Sequence, residues 1–423
     1  MLDIQFIRDN RDQVKKAAAD KGVPDKVDNL LIVDETRRTV MMQLQDIRTE
    51  RNRLMKDVYG KPSDEVISKG KELRKKIMKF EDQLRKIEKQ FYSLMLQIPN
   101  VPDPEAPIGK DEKGNIEVAR EGQKPEFDFE IKDHIQLTKD LDIVDFDRGV
   151  KVAGFRGYFL KGDGALLHNA VMQYVFTKML AQDFMPIIPP AILHERCFTN
   201  TGHFPFGKVD VYKTFDDEAE KDERFLAGTA EVPLVSYHMD EVLDESQLPK
   251  LYMGFSPCYR REIGSYGKDT QGMYRIHEFS KVEQIVICKN DLEESKKWLE
   301  KLRGLSEKIL KELGLHYRVV EVCTGDMGEG KIKMYDIETW MPGRGDFGET
   351  MSDSMLGEFQ SRRANIRYKT KDEEIKYVHL LNNTAIASPR ILIAILESYQ
   401  QSDGSIKVPE VLIPFMGKDV ITK

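Results

Sequence analysis

The chain has little of what would build a stapled, metal-held or membrane-embedded protein. Its four cysteines, Cys197, Cys258, Cys288 and Cys323, are scattered through 423 residues with no Cys-x-x-Cys spacing. That argues against disulfides and against a structural zinc site. The eight histidines are dispersed, leaving no triad or metal-ligand pattern. No apolar run approaches the roughly 20 residues of a membrane span. The amino terminus, Met1-Leu-Asp-Ile-Gln-Phe-Ile-Arg8, carries acid early and lacks a secretory apolar segment. A cytoplasmic location without a membrane partner is therefore expected. A P-loop is also missing, because Gly264-Ser-Tyr-Gly-Lys-Asp has the wrong spacing. Gly343-Arg-Gly-Asp-Phe-Gly348 fits G-x-G-x-x-G, but neither a leading strand nor a following helix is legible around it, so dinucleotide binding is not expected.

What is present divides the chain. Residues 1–100 carry 22 Lys+Arg against 17 Asp+Glu, about +5, within an overall charge of −7. A basic first quarter on an acidic body suggests an arm for a polyanion; a long solvated helix of mixed charge is the alternative. From Leu73 through Ile77, Phe80, Leu84, Ile87, Phe91 and Leu94 to Ile98, apolar residues recur at spacings of 4 and 3. Val33, Val40, Leu44, Ile47, Leu54 and Val58 keep the same schedule, with Arg37 and Arg51 in two seam slots. The pattern predicts an antiparallel coiled-coil hairpin over residues 27–98, turned at Tyr59-Gly-Lys-Pro-Ser63 with Ser63 capping the second helix. Arms of about 30 residues would reach roughly 45 Å. Pro99-Asn-Val-Pro-Asp-Pro-Glu-Ala-Pro107 cannot continue a helix. The organisation expected is thus an arm over 1–100, a Pro-rich linker over 101–125 and a mixed α+β body over 126–423. In the body, helices are expected over 165–182 and 291–313, and strands near 251–262, 275–289, 316–323 and 376–386.

One run carries most of the chemistry: Cys258-Tyr-Arg-Arg-Glu-Ile-Gly through Arg275-Ile-His-Glu-Phe-Ser-Lys-Val-Glu283. It reads as two strands joined by a Gly-rich loop. On the second strand Arg275, His277, Phe279, Lys281 and Glu283 share a face, since strand side chains alternate. Phe279 and Glu283 would stand about 13 Å apart at strand rise. That separates a flat base from a small charged substrate, the outline of a site for ATP and a small molecule. Ser388-Pro389-Arg390 opens a helix, with Ser388 as cap and Pro389 at its first position. Arg390 then lies where the helix dipole disfavours a cation, unless an anion such as a polyphosphate is bound there. Asn382 and Thr384 add uncharged hydrogen-bonding groups. Glu349 and Ser352 offer oxygens suited to Mg²⁺. Thr229-Ala-Glu231 either holds an ammonium group or caps a helix.

These pieces, in this order, resemble the seryl-tRNA synthetases, class II aminoacyl-tRNA synthetases of the bacterial and eukaryotic cytosolic type, over essentially the whole chain. The resemblance rests on the hairpin, the Pro-rich stretch, Thr229-Ala-Glu-Val-Pro, Tyr259-Arg-Arg-Glu-Ile-Gly-Ser-Tyr-Gly-Lys-Asp-Thr, Arg275 to Glu283, Trp340-Met-Pro and Asn382 to Arg390. It implies an antiparallel sheet flanked by helices, preceded by a tRNA-binding coiled-coil arm. It also implies an enzyme that activates L-serine with ATP and Mg²⁺ and transfers it to tRNA(Ser), and to tRNA(Sec) where one exists. Asp183 to Pro190 would be motif 1, forming a homodimer. ATP would be met by Arg260, Arg261, Glu262, Arg275, Phe279, Glu349, Thr350, Met351, Ser352 and Arg390. Within that set Arg260, Glu262 and Arg390 are catalytic and Glu349 and Ser352 hold the metal. Serine would be met by Thr229, Ala230, Glu231, Glu283, Asn382 and Thr384. Tyr259, Glu278, Asn383 and Thr350-Met351 depart from the family's usual residues, and Asn383, beside the serine positions where glycine is common, bears on backbone approach to that pocket. Two other readings compete: a relative that transfers the aminoacyl group to a carrier protein, which typically lacks the arm, and a scaffold with a degenerate body.

Overall fold

The computed structural model describes the chain except residues 57–59, 61, 216–222 and 264–268. It divides into two compact units, Met1–Pro99 and Asn100–Lys423. The first begins with two short helices, α1 (Ile4–Asp9) and α2 (Arg11–Asp20), followed by two long ones, α3 (Val27–Lys56) and α4 (Asp64–Met95). Ser63 caps α4, its hydroxyl accepting from the Val66 amide at 3.3 Å. Along the seam Val33, Val40, Leu44, Leu73, Ile77 and Leu94 are buried. The helices run antiparallel, as cross-links Arg48–Glu81 at 2.7 Å and Glu50–Lys69 at 3.2 Å require. Arg37, the cation in a seam slot, lies 4.1 Å over the Phe91 ring, so its charge faces a π surface rather than aliphatic core. Seam position Val58, and Tyr59 and Lys61 of the turn, fall outside the described residues.

The second unit is built on an eight-stranded sheet. In chain order its strands are β1 (Ile116–Glu121), β2 (Met185–Ile187), β3 (Lys250–Tyr259), β4 (Glu278–Cys288), β5 (Tyr317–Glu321), β6 (Lys333–Met341), β7 (Asp346–Gly357) and β8 (His379–Ser388). Their spatial order is β1-β5-β6-β7-β8-β4-β3-β2. Every pairing is antiparallel except β2 with β3. Helices α5 (Asp163–Leu180), α7 (Leu292–Glu312) and α8 (Arg390–Ser398) bury Val171, Val175, Leu302, Ile309, Ile391 and Ile395 in the core on which the sheet packs, and α6 (Glu231–Ser236) packs by the cleft described below.

Three expectations are corrected here. Residues 101–125, read as a linker, contribute edge strand β1 to the sheet. Gly343–Gly348 does have a strand leading into it: it is the β6–β7 hairpin turn, with Gly345 at φ +68°, and a strand rather than a helix follows. Ser388 does not cap α8; it ends β8 and its hydroxyl lies 2.7 Å from His168 Nδ1, while Pro389 holds the cap position without a side-chain bond.

Candidate active site

Strands β4, β7 and β8, the segment that follows β3 and the starts of α6 and α8 enclose a cleft of about 380 Å³. Thr229, Glu231, Arg260, Glu262, Arg275, Phe279, Glu283, Glu349, Thr350, Met351, Ser352, Asn382, Thr384 and Arg390 all line it, although they come from segments up to 161 residues apart in sequence. Ala230 and Arg261 do not. Ala230 is fully buried in an apolar cluster with Leu234 and Ile285. Arg261 turns outward, donating to the Val209 carbonyl at 3.1 Å. Residues Gly264 to Lys268, the rest of the Gly-rich loop, lie outside the described residues.

The inner end of the cleft is small and polar. Glu283 and Thr384 face each other across the β4–β8 pairing. Lys281 Nζ lies 2.6 Å from Glu283 Oε2 and donates to Thr229 Oγ1 at 2.9 Å and Thr384 Oγ1 at 3.4 Å. Thr384 Oγ1 donates to Glu283 Oε2 at 3.2 Å. Lys281 and Glu283 are only 5% and 2% exposed, so this is a buried, hydrogen-bonded ion pair. Glu231 Oε1 accepts from Asn382 Nδ2 at 2.9 Å and Gln360 Nε2 at 2.7 Å. The Thr229 hydroxyl accepts from the Glu231 amide at 3.3 Å, so the helix-start role and a place in the cleft coexist. Gly254 lets α6 approach the sheet here: a Cβ would fall 2.8 Å from Ala230 Cβ and 2.9 Å from the Leu234 side chain.

The outer end is cationic, with an aromatic floor. Arg260 Cζ sits 5.2 Å over the Phe279 ring while its Nε donates to the Gly228 carbonyl at 3.2 Å. Arg275 Nη1 donates to Glu262 Oε2 at 2.6 Å. Glu262 itself has φ +53°, a strained backbone of the kind found at functional sites. Arg390 lies 4.4 Å over the Tyr274 ring and donates to the Glu349 carbonyl at 2.9 Å and to its Oε2 at 3.2 Å. Desolvation in the cleft opposes ionisation of Glu349, but Arg390 and Arg260 outweigh it and hold the carboxyl below its usual range. Each arginine is thus oriented by a carbonyl, a ring or a carboxylate, with charge left for an anion entering between them.

Two lining residues, Lys281 as part of the site and Lys331, escaped sequence reasoning, as did two residues that touch the lining from behind, Gln360 through Glu231 and Asp336 beside Ser352. Lys281 was legible on the charged face of β4, but its partners Thr229 and Thr384 lie far away in sequence. Gln360 and Lys331 sit in segments with no pattern that marks them. Asp336 stands opposite Ser352 across the β6–β7 pairing, and its Oδ1 is buried without a hydrogen-bond partner. Burial, then the neighbouring Glu349, push its carboxyl well above the usual range. An orphaned carboxylate oxygen beside Glu349 and Ser352 suits a cation bound at that edge of the cleft.

Residues 212–399 match the tRNA synthetase class II core domain (G, H, P, S and T), and residues 1–102 match the seryl-tRNA synthetase N-terminal domain. The chain is 44% identical over 420 residues to a serine–tRNA ligase from Deinococcus radiodurans, covering 99% of this chain and 98% of the relative. Among solved structures it is similar to a seryl-tRNA synthetase from Pyrococcus horikoshii complexed with ATP, with a TM-score of 0.92 and 36% identity, covering 100% of this chain and 99% of that one. It is also similar to a cytoplasmic serine–tRNA ligase from Naegleria fowleri in complex with AMP, with a TM-score of 0.89, 28% identity and coverage of 100% and 99%.

Proposed function

The chain belongs to the seryl-tRNA synthetase family, and from that premise we infer how its cleft performs serine–tRNA ligation with ATP as substrate. The observation that carries the reading is the division of one cleft into a buried Lys281–Glu283–Thr384 end and an arginine-lined, aromatic end. The first end suits serine. Glu283, Thr384 and Thr229 present acceptors and hydroxyls to its ammonium and side-chain hydroxyl, and Glu231 and Asn382 close the pocket. A pocket built to bond a hydroxyl rejects alanine, because its buried groups would be left unpaired.

The second end suits ATP: adenine on Phe279, where Arg260 now lies; the α-phosphate at Arg260; the outer phosphates at Arg275 and Arg390. Glu262 meets the adenine amino group once Arg275 turns to phosphate. One serine carboxylate oxygen forms a bond to the α-phosphorus as the bond to pyrophosphate breaks, giving seryl-adenylate. No general base is needed, because the carboxylate is already ionised at neutral pH. Arg260 and Arg390 neutralise the repulsion between the two anions and the charge that spreads in the transition state. The terminal ribose 3′-hydroxyl of tRNA then attacks the seryl carbonyl, and AMP leaves. Glu349, Ser352 and Asp336 would hold Mg²⁺, which supplies charge neutralisation on the phosphates when bound.

The arm, residues 1–100, is assigned to tRNA(Ser), and to tRNA(Sec) where that exists, through shape and phosphate contacts. A homodimer through Asp183 to Pro190 is supported by β2's place at the sheet edge and by Met185 and Ile188, 57% and 86% exposed. A cytoplasmic location is part of this reading, supported by a reaction that serves translation. Among the described residues no helix is long and apolar enough to cross a membrane. The test is Arg260→Ala: it should abolish serine-dependent ATP–pyrophosphate exchange, and exchange near the wild-type rate would overturn the assignment.

A further inference from the structure

Strands β4 and β8, which carry the serine pocket, and their neighbour β7, which carries Ser352, turn a second set of polar side chains the other way. Asp353 on β7 stands opposite Asn383 on β8, and Asn383 opposite Gln284 on β4, so the three form a row across the sheet. Their same-face neighbours two residues away, Met351, Met355, Leu381, Ala385, Val282 and Val286, belong to the main apolar core. Asp353, Asn383, Gln284 and Ser306 of the covering helix α7 are all completely buried. Asn383 does not enter the cleft; its Nδ2 donates to Gln284 Oε1 at 2.7 Å and to Ser306 Oγ at 2.8 Å. Both Asp353 oxygens and Asn383 Oδ1 are buried with no partner. Side chains opposite each other on antiparallel strands lie within about 5 Å at Cβ. Two acceptors so placed need a hydrogen between them, from the Asp353 acid or a trapped water, or an exchange of the Asn383 and Gln284 amide atoms, which would also give the unpartnered Gln284 Nε2 an acceptor. Apolar side chains of the same shape would pack at least as stably, so stability alone does not account for the row.

Its position does. Asp353 follows Ser352, Gln284 follows Glu283, and Asn383 separates Asn382 from Thr384. Gln284 and Asn383 are the reverse side of serine-pocket residues, and Asp353 is the reverse side of Ser352 at the phosphate edge of the same cleft. We propose that Asp353, Asn383 and Gln284 are positioning residues that fix the lateral spacing of β7, β8 and β4, and thereby place Asn382, Thr384 and Glu283 around the serine side chain. The proposal rests on the serine pocket assigned above and adds the layer that holds it.

The experiment is pyrophosphate exchange by the full-length chain, with KM measured separately for serine and ATP and a melting curve for each variant. Asn383→Ala should raise the serine KM about tenfold while the ATP KM stays within about twofold. Asp353→Ala should also raise the serine KM; because Asp353 backs Ser352 at the phosphate edge, the ATP KM control is read on Asn383→Ala. The double variant should do less harm than the product of the two, since it leaves neither partner orphaned. Asp353→Asn, whose amide can donate to Asn383 Oδ1, should recover most of the serine affinity. Serine and ATP KM moving together, an unchanged serine KM, or single effects that multiply in the double variant would overturn the proposal. If the alanine variants fail to fold, Asp353→Asn decides alone: a serine KM raised tenfold or more overturns it. Wild-type chain without serine-dependent exchange would instead refute the pocket assignment itself, so the two failures are distinguishable.

Discussion

Replacing Glu283 by Gln changes one oxygen to an amide nitrogen at the most consequential point of the cleft. The substitution removes the negative partner of Lys281, 2.6 Å away, while both side chains stay buried. Removing one partner from a buried ion pair costs about 3–5 kcal/mol. Glutamine's remaining carbonyl still accepts from Lys281 or Thr384, so a stability loss nearer about 2 kcal/mol is expected, visible as a fall of several degrees in Tm. The effect on serine is separate. Charge-assisted hydrogen bonds to the serine ammonium or hydroxyl are worth about 1.5–3 kcal/mol, roughly 10- to 150-fold in kcat/KM. Alanine has no hydroxyl to lose, so its already slow reaction should fall less, and the serine-to-alanine ratio should shrink about tenfold or more. The assay is ATP–pyrophosphate exchange with each amino acid, with ATP KM as the control, which should stay within about twofold because Phe279, Arg260 and Arg390 are untouched. A serine kcat/KM equal to that of the wild type, in a variant that is folded, would refute the placement of serine against Glu283, whereas a reduced kcat/KM with an unchanged serine-to-alanine ratio would assign Glu283 to the ammonium, which alanine shares.

Deleting about residues 30–98 should leave serine-dependent exchange within a few-fold of wild type and reduce tRNA charging by orders of magnitude; unimpaired charging would remove the arm from tRNA recognition. Gly254→Val should raise the serine KM, because the new side chain collides with Ala230 and Leu234 and pushes the start of α6, with Thr229 and Glu231, away from the sheet; steady-state kinetics with serine and ATP varied in turn would show it. Asp353→Asn should be more thermostable than wild type at pH 8. Burial, reinforced by Glu300 and opposed by Arg303, raises the Asp353 carboxyl well above its usual range. Stability from the neutral acid is therefore present in full below the ordinary aspartate pKa and lost as pH rises toward the elevated folded value. The gain in Tm should shrink toward pH 4, and a gain independent of pH would contradict this origin.

The parts of the fold with regular periodicity were legible in the sequence. The seam of α4, the break before Ser63 and strands β3 and β4 follow from spacing and turn chemistry alone. Strands β6 and β7 were not read from it, and for β7 the reason is chemical. On β7, Glu349, Ser352 and Asp353 put polar groups on both faces, so that strand shows no clean alternation, whereas β6 does alternate from Tyr335 to Met341 and its pattern was missed. The polarity of β7 serves the cleft on one face and the buried row on the other. Strand β1, with exposed charged residues at the sheet edge, had no apolar pattern to find. Within the site, Phe279, Lys281 and Glu283 lie on the face that strand alternation assigns them. Arg275 reaches the cleft from just before β4 begins, and its neighbour Ile276, which strict alternation would turn to the opposite face, lines the cleft too. The partners of Lys281, and the orphaned Asp336 oxygen, depend on long-range register that no local pattern encodes. Asn383, expected to alter the pocket from its position beside Asn382 and Thr384, instead points away from it.

The most direct measurement is pyrophosphate exchange by the full-length chain with serine, threonine, alanine and glycine in parallel at saturating ATP, followed by charging of total tRNA with labelled serine. Exchange should be driven by serine, with alanine and glycine slower by about 10⁴-fold, as expected for a pocket that bonds a hydroxyl, and serine should appear on tRNA. Exchange that does not depend on serine, or that alanine supports equally well, would contradict the account.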